Sequence, residues 1–148
     1  MKKSNRGGWH SDLGLLNWLD IKTTNHLITK IKNGIEEMLV FFNPDFNIKQ
    51  HELSKLAWAN VSEYGHYNSL HTHPDAIWSG VYYVDDGGDP TSKIVFPDPR
   101  VAASMIQNNL NPFSGSDFEL TPHSGLLAVF PSWLQHSVKP YQGNKRGF

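Results

Sequence analysis

The chain has 148 residues, the length of a single domain. It has no cysteine, which excludes a disulfide scaffold, a thiolate zinc site, an iron–sulfur cluster and a cysteine nucleophile; this suits a reducing, cytoplasmic setting. Thirteen basic and fourteen acidic residues give a net charge of −1, which argues against a nucleic-acid partner, and no apolar run reaches the ~18 residues that would cross a membrane.

The opening MKKSNRGGWHSD is basic but leads into no apolar stretch, so it does not read as a signal peptide. Residues 1–22 have weak periodicity and are expected to form an irregular arm, pinned by Leu13, Leu15, Leu16, Trp18 and Leu19. Residues 24–42 read as one amphipathic helix. Leu27, Ile28, Ile31, Ile35, Met38, Leu39 and Phe42 form a stripe at period 3.6, which is expected to face a sheet. Thr23 or Thr24 would cap this helix, Gly34 weakens it slightly, and Asn43-Pro44 ends it.

After Pro44 the pattern changes to short strands. Leu56–Ser62, Ile77–Val84, Lys93–Phe96 and Leu126–Phe130 are strand-like. Turn signals separate them, such as Asp85-Asp86-Gly87-Gly88-Asp89-Pro90 and Pro97-Asp98-Pro99. Such punctuation predicts a sandwich or barrel over residues 56–148. The polar stretch 101–122 is expected to hold a short helix and then a loop, the place for a lid.

The chain carries eight histidines. His71, His73 and Asp75 alternate in HTHPD, and alternate side chains of an extended segment share a face. His136 follows in PSWLQHSVKP, on a separate segment that can close a coordination face. Neutral imidazole is the commonest metal ligand, so the pattern points to a metal, with zinc, iron, nickel or manganese all suited. Two sets remain open: His73, Asp75 and His136, a two-histidine-one-carboxylate face, or His71, His73 and His136. His10, His26, His51, His66 and His123 lack such a pattern and are read as structural or solvent-facing. Arg146, ten residues after His136, offers a bidentate fork for a carboxylate.

Together these residues resemble the 2-oxoglutarate- and Fe(II)-dependent oxygenases, and among them the prolyl-hydroxylase-like group. The resemblance rests on Trp58 and Asn60, Gly65, Asn68, His71-Thr72-His73-Pro74, Trp78-Ser79-Gly80-Val81-Tyr82-Tyr83-Val84, Pro122, Gly125, Phe130-Pro131-Ser132-Trp133-Leu134-Gln135-His136 and Arg146. It implies a mainly β fold, the double-stranded β-helix or jelly roll, in a single domain with a flanking helix. The family's glycine stands six residues before the first ligand; Gly65 then marks His71 as that ligand and puts His73 where a carboxylate usually stands. The resemblance therefore implies His71, His73 and His136 as the catalytic iron ligands. It implies that Arg146 binds the distal carboxylate of 2-oxoglutarate and that Tyr83 adds a hydroxyl. The implied cofactors are Fe(II) and 2-oxoglutarate, with O₂ and a small-molecule or peptide substrate as partners. Trp78 and Trp133 are expected in barrel packing, and Asn60 and Asn68 in the pocket wall or in turns. The family continues past this arginine with another strand, so a missing last strand, or one supplied by a partner, is expected.

Two other readings compete. A cupin-type metal protein without 2-oxoglutarate would share the Gly65-to-His73 opening, but Ile77 and Trp78 stand where its glutamate belongs. A non-catalytic barrel with a structural metal would need a closed fourth ligand, for which only Asp75 offers itself.

Overall fold

The computed structural model describes residues 4–17, 21–51, 54–100, 102–105 and 115–147. Within these the chain is mainly β with one α-helix. Trp18, Leu19 and residues 106–114 of the expected lid lie outside the described residues.

Within residues 4–17 the N-terminal arm is partly ordered rather than wholly irregular. It forms two short strands, β1 (Asn5–Arg6) and β2 (Trp9–His10), and then a 3₁₀ turn at Leu15–Asn17. Gly7 and Gly8 both have positive φ, and a Cβ at Gly7 would collide with the His66 ring. Only glycine fits that corner, so the two strands part there. The arm was missed because two-residue strands are too short to show a period.

Helix α1 (Ile21–Phe42) begins earlier than the expected 24, which places Thr23 and Thr24 inside its first turn rather than at its cap. A Cβ at Gly34 would rest in ordinary contact with Leu127 and Val129, so this face of the helix lies on a sheet. Phe42 departs from the stripe: it is 75% exposed, because the last turn runs past the sheet.

The remaining strands are β3 (Asn60–Val61), β4 (Tyr67–His71), β5 (Trp78–Tyr82), β6 (Ile94–Phe96), β7 (Phe118–Leu120), β8 (Leu127–Pro131) and β9 (His136–Val138). All pair antiparallel. One sheet has the order β1-β4-β9-β6-β7, while β2-β3 and β5-β8 form two-stranded ribbons. The described strands do not close into a barrel. Successive strands β4, β5, β6, β7, β8 and β9 alternate between the large sheet and the β5-β8 ribbon, except for the β6-β7 hairpin, so the two layers interlock.

The core lies between these layers. Ile94, Phe96 and Phe130 are buried, with Val81, Tyr83, Leu120, Leu134 and Val138 packed on them. Each large apolar side chain buried there contributes about 1.5–3 kcal/mol. Strand β6 lies inside its sheet, between β9 and β7, and all three of its residues are buried. The turn Glu63-Tyr64-Gly65-His66 closes with His66 N–H donating to Glu63 O, and Gly65 at its third position has φ +81°. That conformation explains the motif glycine without reference to the site.

Candidate metal centre

Strands β4 and β9 pair so that His71 stands directly opposite His136. Residues opposite on an antiparallel pair share a face, and their ring centroids lie 4.2 Å apart. His73 lies two residues past His71 and returns to the same side. Its ring is 5.0 Å from His71 and 5.1 Å from His136. One nitrogen from each of the three falls within 4.8 Å of the others, close enough for one ion.

The loop before His136 is tied to the loop after His71 through one residue. Ser132 N–H donates to Ile77 O, Ser132 O accepts from His73 N–H, and the Ser132 and Ser79 hydroxyls are 2.6 Å apart. Ser132 is 1% exposed, so this knot is shielded from water. Two of the rings are also fixed by the backbone. His71 Nδ1–H bonds to Ser69 O at 2.8 Å, and His136 Nδ1–H bonds to Leu134 O at 3.0 Å. Such bonds leave Nε2 of each ring as a lone-pair donor.

The surroundings favour the neutral form of His136 and His73. Phe130 and Phe96 pack against His136, with centroids at 4.7 and 5.9 Å. Burial, with lesser effects from His71 and His73, lowers the His136 pKa to about 4 despite the opposing bond to Leu134 O. Burial and then the neighbouring His71 also lower His73. His73 Nδ1 is buried without a hydrogen-bond partner. A neutral three-imidazole face with one orphaned buried nitrogen suits a divalent metal of the Fe(II) or Zn(II) type and leaves positions open for other ligands.

Asp75 does not join the cluster. It sits exposed in the turn after His73 with φ +65°, and among the described residues the group that could hold a metal is His71, His73 and His136. The fold therefore assembles the all-histidine set rather than the one with Asp75.

Arg146 is engaged elsewhere. Its Nε donates to Glu63 Oε1 at 2.7 Å, with side chains 69% and 51% exposed. The pair lines a groove of about 630 Å³ with Gly8, Trp9, Val61 and His66. Tyr83 follows β5 and packs on the core; burial pushes its phenol above the ordinary value, so it stays protonated. Trp78 is partly buried in β5, but Trp133 is 65% exposed, because it lies in the turn between β8 and β9 rather than on a strand. Asn60 accepts from Asn5 Nδ2, and Asn68 donates to Ser4 Oγ, so both tie down the N-terminal arm.

Two roles are not read from the sequence. Ser132 stands there only inside the Phe130–His136 motif, with no role of its own. Trp58, noted only as a motif residue, lies 5.5 Å from His73. An apolar cavity of about 680 Å³ shares Phe96, Phe130 and Leu134 with the wall behind His136, and Asp98 and Arg100 also line it.

Residues 56–147, well over half of the chain and including all three histidines, match the family described as "Putative 2OG-Fe(II) oxygenase". The chain belongs to that family and so to the 2-oxoglutarate/Fe(II) oxygenase superfamily. No curated protein matches the sequence. Among the described residues, no helix is long and apolar enough to cross a membrane.

Proposed function

We propose that this protein is a 2-oxoglutarate- and Fe(II)-dependent dioxygenase that hydroxylates a small-molecule or peptide substrate in the cytoplasm. The observation that carries this is the convergence of His71, His73 and His136 inside the segment that matches the oxygenase family. Fe(II), 2-oxoglutarate and O₂ together supply an oxidant for a C–H bond, with 2-oxoglutarate leaving as succinate and CO₂. His71, His73 and His136 are the metal ligands in this reading. Burial favours the neutral form of His136 and His73, while Ser69 O orients His71 and Leu134 O orients His136. Three neutral ligands leave the metal's full charge to be balanced by a dianion such as 2-oxoglutarate.

Arg146 is the proposed anchor for the distal carboxylate, with Glu63 as its resting partner, and the protonated Tyr83 hydroxyl is a second donor to it. An exposed ion pair contributes under ~1 kcal/mol, so a carboxylate ligand can displace Glu63. The strand alternation between layers supports the jelly-roll form of the fold.

The test is an anaerobic titration with Fe(II) and then 2-oxoglutarate, read by the visible charge-transfer band. A band that needs both, and is lost in His136→Ala, is the expected result. Tight metal binding without a band would favour a cupin-type site, the reading closest to an all-histidine face. Arg146→Ala should weaken 2-oxoglutarate at least tenfold, and unchanged affinity would remove Arg146 from the site.

A further inference from the structure

The three candidate ligands are not held in the same way. His71 and His136 each donate Nδ1–H to a backbone oxygen two residues earlier in the chain. Among the described residues His73 makes no such bond, and its Nδ1 is buried without a partner. Its ring still needs a fixed orientation, since an imidazole that rotates presents its lone pair to the ion only part of the time. Outside the cluster itself, the aromatic ring against His73 among the described residues is Trp58, at 5.5 Å and tilted by 48°.

Trp58 is in turn covered from the N-terminal arm. His10 stacks on it at 5.9 Å with the planes only 12° apart. The stack is set by the backbone. Strands β2 and β3 pair with His10 opposite Asn60, which makes His10 and Trp58 diagonal neighbours across the ribbon. Ser11 N–H donates to Ala59 O, and Ala59 N–H donates to Ser11 Oγ, which locks the register beside Trp58. The His10 ring is itself bonded through Nδ1 to Ser11 O. The arm also reaches His71: Ser69 N–H and Oγ both donate to Ser4 O, and Ser69 O holds the His71 ring.

We propose that Trp58 and His10 are positioning residues of the metal centre, holding His73 by ring packing where the other two ligands are held by hydrogen bonds. The N-terminal hairpin is then a working part of the site. This rests on the reading of the three histidines as metal ligands. The linkage is reciprocal: whatever the arm adds to metal affinity, the metal adds to the order of the arm.

The test uses the whole chain and Co(II), whose d–d absorption reports ligand geometry. Wild type should bind Co(II), and His136→Ala should not. His10→Ala should weaken Co(II) about tenfold and shift its d–d bands, in the range seen when an outer partner of a metal ligand is lost. His10→Phe, which keeps a flat ring over Trp58, should restore both. Hydrogen exchange at the Ser11 and Ser69 amides should slow on adding Co(II) in wild type, and less so in His10→Ala. Wild-type affinity and spectrum in His10→Ala would overturn the proposal while leaving the metal site standing. Failure of wild type to bind Co(II) would overturn the site reading and this proposal with it. Trp58→Leu adds a larger loss if it folds; if it does not, the His10 pair decides.

Discussion

His136 and Arg146 are ten residues apart in sequence, and the same device presents both. Each is brought across an antiparallel pairing to a residue of complementary chemistry: His136 faces His71 on the β4-β9 ladder, and the Ser62–Gly147 bridge sets Arg146 beside Glu63. Their environments are opposite. His136 is 3% exposed, backed by Phe96 and Phe130, and its loop is knotted through Ser132. Arg146 and Glu63 stand in water. The lesson is that pairing selects partners, and burial decides whether the partnership is permanent. The histidine face is built in advance, whereas the arginine is held by a contact weak enough to be exchanged.

The contrast can be broken most completely at its buried side. His136→Ala should abolish metal binding, a larger effect than the ~10–100-fold loss from removing an outer partner, as measured by isothermal titration with Zn(II). Acid should act next. The unfolded chain protonates His136 near 6.5, while the folded protein holds it neutral to about 4. The metal-free protein should therefore keep full stability above pH 6.5 and lose about 3 kcal/mol as pH falls through 6.5 toward 4, in urea melts across that range. Untying the knot comes third. Ser132→Ala leaves the Ser79 hydroxyl without its partner and should cost about 1–2 kcal/mol in the same melts. Glu63→Gln is the smallest change: stability should move by under ~0.5 kcal/mol, while 2-oxoglutarate binds more tightly because Arg146 is released. Weaker binding in that variant would mean that Glu63 positions Arg146 rather than competes for it.

The histidine face was legible because H-x-H alternation is a strand property and survives into the fold. The helix was legible from its stripe, since a period of 3.6 over many residues has few other causes. What escaped was short or non-local. Strands β7 and β9 have three residues each, and β4 (YNSLH) lacks clean alternation, so neither length nor period marked them. Alternation alone leaves Asp75 and His71 both open, and only the Gly65 register of the family resemblance favours His71, because the turn that carries Asp75 outward depends on its own φ of +65°. The packing of Trp58 between His10 and His73 joins three distant segments, and no local pattern encodes it. Trp133 was misjudged because tryptophan is usually buried, whereas a turn at the rim of a sheet leaves it outside.

The two-plus-one arrangement of the histidines also bears on how the protein acquires its shape. His71 and His73 are already a chelating pair in an extended chain, while His136 arrives only when β9 docks on β4. That docking closes a long loop and belongs to the slow, non-local part of folding. A transition metal present during synthesis or refolding meets the pair before it meets the finished face. Ions held there by the unfolded chain subtract from the stabilisation that the same ion gives the native state. The order of addition, metal before or after folding, should therefore change the yield of native protein even though the final complex is the same.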